Sequence, residues 1–167
     1  MTRTSRLEAG GACSIARSLT LLGERWTLLV VREAFRGRTR FAEFSAALRM
    51  PSETLTDRLG KLVDAGVLTR TAYQEPGSRE RAEYRLTESG RALYPVLAAL
   101  QQWGDGHLSG PEGPPAYLRT KDGGRPVRVA LVDDEGREVS LDDIVSVPGP
   151  GASAAPGTGP GAGVPAR

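Results

Sequence analysis

The dominant pattern in this chain is a series of apolar residues at helical spacing between residues 13 and 108. It predicts four short helices, three of them ending at Gly23, Gly37 and Gly66, because glycine commonly terminates a helix. The apolar positions of the four helices are, in order, Ile15, Leu19 and Leu22; Trp26, Leu29, Val30 and Ala34; Phe41, Phe44 and Leu48; and Leu55, Leu59, Leu62 and Val63. The second helix is apolar on nearly all sides, which predicts that it is buried.

The pattern changes after residue 66, where β-branched and aromatic residues predict two strands, 67–74 and 82–86, joined by a turn. Thr87 is expected to cap a long final helix, in which Pro95 marks a kink or a break. The order helix, helix, short helix, helix, hairpin, helix predicts a mainly α fold with a small β wing. This is the winged helix-turn-helix.

The chain is expected to divide into five parts. Residues 1–12 form a flexible N-terminal arm, 13–108 the winged domain, 109–124 a linker, 125–147 a small β-rich unit and 148–167 a disordered tail. The tail is almost entirely Gly, Pro and Ala, and such a segment buries too little apolar surface to offset its ordering entropy.

Residues 125–147 carry the weakest structural pattern in the chain. Val127, Val129 and Leu131 alternate with other residues and predict a strand, and 137–141 is expected to return as the second strand of a β-hairpin. An isolated hairpin is marginal in water, so this unit is expected to pack on the helical domain or on a second chain. A role in binding a small-molecule effector is the alternative to plain packing.

The helix-turn-helix is predicted to consist of residues 40–48 and 51–65, with a tight connection between them. The second helix is expected to be the recognition helix, which enters the major groove of DNA. With its leucines turned inward, the candidate DNA contacts on its outer face and flanks are Ser52, Glu53, Thr54, Thr56, Asp57, Arg58 and Lys61. An ordinary amphipathic helix with a solvated face explains this pattern equally well when the helix is taken alone.

The predicted hairpin favours DNA binding over that simpler interpretation. Arg79 and Arg81 fall on its loop, where a basic wing touches the DNA backbone or minor groove. Arg38 and Arg40, at the start of the first helix of the pair, complete the candidate contacts. A winged-helix dimerisation or interaction module without DNA binding stays open as the alternative function.

Charge is distributed unevenly along the chain. Residues 1–108 carry 16 Lys and Arg against 12 Asp and Glu, whereas residues 109–167 carry 6 against 8. Arginine supplies 15 of the 16 N-terminal cations, and its planar guanidinium suits phosphates and guanine edges. This bias agrees with double-stranded DNA as the partner.

The same composition argues against an enzyme. His107 is the only histidine and Cys13 the only cysteine, which excludes His-based triads, multi-His metal sites and zinc fingers. We therefore expect no catalytic residues, no metal and no cofactor. Because no apolar run approaches the length of a membrane span, we expect no membrane partner and a cytoplasmic, nucleoid-associated protein.

Five ordered segments resemble the HxlR-type family of bacterial transcription regulators over residues 13–105. The segments are 22–30 (LGERWTLLV), 40–44 (RFAEF), 55–59 (LTDRL), 62–68 (LVDAGVL) and 83–93 (EYRLTESGRAL). The resemblance implies a homodimer on a pseudo-palindromic operator, with the first and last helices at the dimer interface. The interface residues that we expect are Ile15, Leu19, Leu93, Leu97, Leu100 and Trp103.

The resemblance also implies a role for Cys13, because some members sense oxidants or electrophiles through a cysteine just before the first helix. A helix N-terminus favours the thiolate of a cysteine placed there. The simpler interpretation is a small buried apolar residue, which free cysteine commonly is. Both interpretations stay open at the level of the sequence.

Overall fold

The computed structural model describes residues 13–74, 77 and 80–152. The elements, in chain order, are α1 (Ser14–Leu22), α2 (Arg25–Phe35), α3 (Phe41–Leu48), α4 (Ser52–Asp64), β1 (Leu68–Tyr73), β2 (Arg81–Leu86), α5 (Glu88–Arg91) and α6 (Tyr94–His107), followed by a short 3-10 helix at Leu141–Asp143. This order confirms the mainly α fold with a small β wing. The predicted arm and the predicted tail from residue 153 onward lie outside the described residues.

Local chemistry fixes where the helices begin and end. Gly23 closes α1 by donating its amide hydrogen to the carbonyl of Leu19 over 2.8 Å. Arg49 ends α3 in the left-handed conformation, with φ of 49°, and its amide donates to the carbonyl of Ser45. That conformation is uncommon for a residue with a side chain, and it turns the backbone sharply between α3 and α4.

The core lies where α2, α3, α4 and β1 meet. Val30 and Val31 of α2 are fully buried, as are Phe44 of α3 and the three inward leucines of α4. Full burial of side chains of this size stabilises a fold by roughly 1.5–3 kcal/mol each. The inward faces predicted for these helices are therefore confirmed.

The wing is an antiparallel pair in which Leu68 faces Leu86 and Tyr73 faces Arg81. Thr87 follows β2 and caps α5, since its hydroxyl oxygen accepts the amide hydrogen of Gly90 over 3.0 Å. Gly90 is buried against the carbonyl of Val67, where a Cβ would lie 2.2 Å from that oxygen. The close packing of α5 on the wing therefore requires glycine at this position.

The expected single long final helix is in fact two. The helix that Thr87 caps ends at Arg91, and α6 begins at Tyr94 with Pro95 in its first turn. Proline is well placed there because first-turn amides have no partner inside the helix. Of the kink or break that Pro95 predicted, the structure shows the break.

The C-terminal unit, residues 109–152, contains less regular structure than the alternation predicted. Its antiparallel pairing consists of isolated bridges, Arg119 with Pro126 and Val132 with Glu138. The predicted turn is present, since the Asp133 carboxylate accepts amide hydrogens from Glu135 and Arg137. The expected continuous strands are wrong, and Val127 and Leu131, which lie between the two bridges, are about half exposed.

The bridge between Arg119 and Pro126 joins a residue of the predicted linker to a residue of the predicted β-rich unit, so the two form one unit. Two glutamines of α6 hold this part of the chain. Gln102 accepts the amide hydrogen of Val129 over 2.8 Å, and Gln101 donates to the carbonyl of Ala116 over 3.0 Å. The unit thus packs on the helical domain, which was one of the two expected arrangements.

Candidate nucleic-acid interface

The candidate recognition helix α4 turns its polar face outward. Its leucines are fully buried, while five of the seven candidate contacts are exposed: Ser52, Glu53, Thr56, Asp57 and Lys61. Thr54 and Arg58 are less exposed and lie on the flanks of the helix. The structure therefore presents a continuous polar surface along the first three turns of α4.

Ion pairs compensate part of the negative charge on that surface. The ammonium of Lys61 lies 2.9 Å from a carboxylate oxygen of Asp57, and its hydrogen bond holds the pKa of Asp57 below the usual value. Arg58 lies 3.4 Å from both Glu24 and Asp57, and its side chain is only 12% exposed. Arg58 therefore contacts the turn between α1 and α2 of its own chain, and Lys61 is the more accessible cation.

Arg38 belongs to a cluster of ion pairs around the buried carboxylate of Glu33, which the sequence did not predict. The carboxylate of Glu33 is 2% exposed, and its oxygens lie 2.8 Å from Arg32, 3.0 Å from Arg36 and 2.7 Å from Arg38. The cluster fixes the end of α2 to the loop that leads into α3. The only signal in the sequence was an acidic residue on a helix that is otherwise apolar, surrounded by arginines.

Arg40 connects the start of α3 to the wing. Its guanidinium carbon lies 4.4 Å from the centre of the Tyr73 ring, and its Nε donates to Glu83 over 3.4 Å. The neighbouring backbone adds a bond, since the amide of Tyr84 donates to the carbonyl of Thr39 over 2.7 Å. The wing is thereby held in a fixed position beside the helix-turn-helix.

The wing arginines are only partly described. Arg81 is exposed at the first position of β2, opposite Tyr73, and lines a concave surface shared with Arg40 and the start of α3. Arg79 lies outside the described residues, so its placement at the wing tip stays a prediction. Arg81 thus lies at the loop end of the wing, and Arg40 lies beside the middle of β2.

The predicted dimer-interface residues fall into two groups. Ile15, Leu19 and Trp103 are 72%, 56% and 57% exposed, and Leu100 is half exposed. Such exposure of large apolar side chains marks a surface that can bind a partner. The remaining pair, Leu93 and Leu97, pack against the core of their own chain, so only part of each is left for a partner.

Cys13 is exposed and stands immediately before α1 with an extended backbone. Its carbonyl accepts the amide hydrogen of Arg17 over 3.1 Å, which is the first helical bond of α1. Cys13 is therefore not buried by the described residues of its own chain.

Comparison with known proteins identifies the family of this chain. The model of the HxlR-like helix-turn-helix family matches residues 21–111. The chain belongs to this family. An HTH-type transcriptional regulator of Mycobacterium tuberculosis, Rv3095, is 44% identical over 139 residues, which are 83% of this chain and 87% of the relative. The protein is accordingly a transcriptional regulator of the winged helix-turn-helix type.

Two solved structures of regulators share this fold. PA1607, named as a candidate transcription factor, superposes with a TM-score of 0.72 and 37% identity, covering 81% of this chain and 94% of its own. HypR, named as a redox regulator in its reduced form, gives a TM-score of 0.53 and 26% identity over 58% of this chain and 95% of its own.

The match to Rv3095 extends beyond the family domain. Since it takes in 139 residues of this chain, it reaches at least residue 139, although the family match ends at 111. Part of the C-terminal unit is therefore shared with that relative. Within the described part of the chain, we find no helix with the length and apolar character needed to cross a bilayer.

Proposed function

We propose that this protein binds specific DNA sequences as a homodimer, with α4 in the major groove and the wing on the DNA backbone or minor groove. One observation carries the proposal: the exposed polar face of α4 lies beside a wing that Arg40 and Glu83 fix to the helix-turn-helix. A helix that enters the major groove must project polar side chains beyond the backbone, and a wing must be held rigidly to reach the DNA at the same time.

The electrostatics of α4 support base reading more than simple charge attraction. Asp57 is neutralised by Lys61, and Glu53 remains as an exposed carboxylate near the N-terminus of the helix. A carboxylate repels phosphate but accepts the amino hydrogen of cytosine N4. We therefore expect Thr56 and Glu53 to contribute to sequence preference, while Arg81 contributes affinity for any sequence.

The direct test is selection of DNA fragments by the purified protein from a random pool, followed by titration of the enriched site at several salt concentrations. We expect an inverted repeat, with half-sites about one helical turn apart, because a twofold dimer reads a twofold site. Enrichment of no sequence, together with no salt-dependent shift on any DNA, would instead support the interaction module.

We also propose that Cys13 makes DNA binding responsive to oxidants. The thiol is exposed at the start of α1, beside the apolar residues that we assign to the dimer interface. HypR, a redox regulator by name, shares the fold at 26% identity. Two Cys13 thiols from two chains can lose their hydrogens to diamide, which is reduced to the hydrazine as the disulfide forms.

Operator affinity of the wild type and of Cys13→Ser is measured before and after diamide. We expect only the wild type to change, and dithiothreitol to restore it. An identical response of both proteins would exclude Cys13 as the sensor.

A further inference from the structure

A cleft of about 430 Å³ lies between α2, α6 and residues 115–116 of the C-terminal unit. Its volume is within the range of about 300–1,000 Å³ that is typical of small-molecule sites. We infer that this cleft binds an amphiphilic organic anion, a molecule with a flat apolar body and a carboxylate or sulfonate group. The inference goes beyond DNA binding and does not require it.

The cationic wall of the cleft explains why the ligand is an anion. Arg32 and Arg36 both line the cleft, and both contact the same oxygen of Glu33, at 2.8 and 3.0 Å. Arg38 holds the other oxygen at 2.7 Å, so one carboxylate faces three guanidinium groups. The cluster keeps an excess of two positive charges, and the side chains of Arg32 and Arg36 remain 42% and 54% exposed.

Arg25 adds a further cation to the same wall. Its guanidinium carbon lies 4.5 Å from the centre of the Trp26 ring, and its side chain lines the cleft. Asp105 contributes the opposite charge from α6, but the arginines outnumber it. Guanidinium groups bind carboxylate and sulfonate oxygens by paired hydrogen bonds, so this wall selects an anionic group.

Leucines line the cleft between these arginines and on the side of α6. Leu28 and Leu29 of α2 and Leu97 and Leu100 of α6 form this part of the lining. A fully hydrated inorganic anion gains nothing from these leucines, whereas an aromatic or aliphatic body is stabilised by leaving water. The arginines and the leucines together select an anion that carries an apolar group.

The C-terminal unit completes the cleft. Pro115 and Ala116 line it, and Gln101 holds the carbonyl of Ala116 over 3.0 Å. A ligand here contacts α2, α6 and the C-terminal unit at once. Because α6 carries Leu100 and Trp103 of the proposed dimer interface, the ligand would reach the surface through which two chains associate.

Isothermal titration of the full-length protein with 2-naphthoate tests the inference, with uncharged 2-naphthamide and inorganic phosphate as matched probes. We expect 2-naphthoate to bind once per chain, and both other probes to bind at least tenfold more weakly. Equal binding of naphthoate and naphthamide would reject the cationic wall. Equal binding of phosphate would reject the role of the leucines, and no binding of naphthoate would reject the site as a whole.

Two variants locate the site. Arg25→Gln removes a cation of the cleft without changing the Glu33 cluster, and we expect it to weaken naphthoate binding at least fivefold. The matched control is Arg91→Gln, at an exposed arginine on α5, which should leave naphthoate binding within twofold of wild type. Ala116→Glu should weaken binding at least threefold more than Ala116→Gln, which has the same size without the charge. Thermal melting of each variant confirms folding. Unchanged binding in both Arg25→Gln and Ala116→Glu would overturn the inference.

Binding of DNA and binding of naphthoate are measured separately, so failure of the effector site and failure of the proposed function are distinguishable. A protein that binds its selected DNA but no naphthoate retains the function and loses the effector site. A protein that binds naphthoate at this cleft but no DNA retains the effector site and loses the proposed function.

Discussion

At the scale of single residues, Glu33 joins the end of α2 to the loop that precedes α3. Its buried carboxylate holds three arginines from α2 and from the loop before α3. Removing one partner of a buried ion cluster is costly because the remaining charges lose their compensation. The arginines here are partly exposed, so water replaces some of that compensation.

We expect Glu33→Gln to lower the free energy of unfolding by about 2 kcal/mol. Urea denaturation followed by circular dichroism measures the change. Glu53→Gln is the matched control, since Glu53 is exposed, and surface changes of this kind usually stay within about 0.5 kcal/mol. A Glu33→Gln protein as stable as this control would mean that the cluster contributes no net stability.

At the scale of elements, α3 depends on a cap supplied by Glu43. Its Oε2 accepts amide hydrogens from Thr39 over 2.8 Å and from Arg40 over 3.0 Å. The bonds to the Arg40 and Thr39 backbone hold the pKa of Glu43 below its usual value. A carboxyl group whose pKa is lower in the folded state stabilises the fold above its unfolded pKa, and this contribution is lost as pH falls through the folded pKa.

We expect Glu43→Ala to reduce stability by about 1 kcal/mol at neutral pH, as the removal of other helix caps does. The difference from wild type should shrink as the pH falls below about 4.5, the ordinary pKa of the carboxyl group. Thermal melts from pH 7 to pH 3 measure it. Glu43→Gln keeps an acceptor oxygen without titrating, so its stability relative to Glu43→Ala should not depend on pH.

The wing is the second element with a separable role. We expect Arg81→Ala to weaken binding to the selected site and to random DNA alike, and to reduce the slope of log affinity against log salt by about one unit for each phosphate that Arg81 neutralises. Fluorescence anisotropy at several salt concentrations measures the slope. Arg125→Ala, at an exposed arginine of the C-terminal unit, should leave it unchanged. A weaker affinity for the selected site alone would place Arg81 at a base instead.

At the scale of the whole molecule, the chain leaves a large apolar surface on α1 and α6. Closed twofold dimers are the commonest assembly of soluble chains, and they cover such a surface with its own copy. Light scattering at micromolar concentration should report about twice the 17.7 kDa chain mass. Leu19→Asp should shift the mass toward that of one chain, whereas Val145→Asp, exposed on the C-terminal unit, should not. A wild-type monomer that binds its operator tightly would contradict the dimer.

The sequence by itself determined the order of the elements and their inward faces. Leu55, Leu59 and Leu62 repeat at helical spacing, and a helix with such a stripe must bury it wherever it packs. The wing strands, the break at Pro95 and the exposed face of α4 follow from the same local rules. The family resemblance also rests on short contiguous segments, so it could be recognised from residues 22–93 without knowing how the elements pack.

Only the tertiary structure decided which charged groups meet. Arg38 and Arg58 were expected on DNA, yet each contacts a carboxylate of its own chain, Glu33 and Glu24 respectively. Periodicity reports which side of a helix is apolar, whereas an ion pair between two elements depends on how those elements pack. The same reason applies to the cleft beside α6, whose walls come from α2, α6 and the C-terminal unit and share no local pattern.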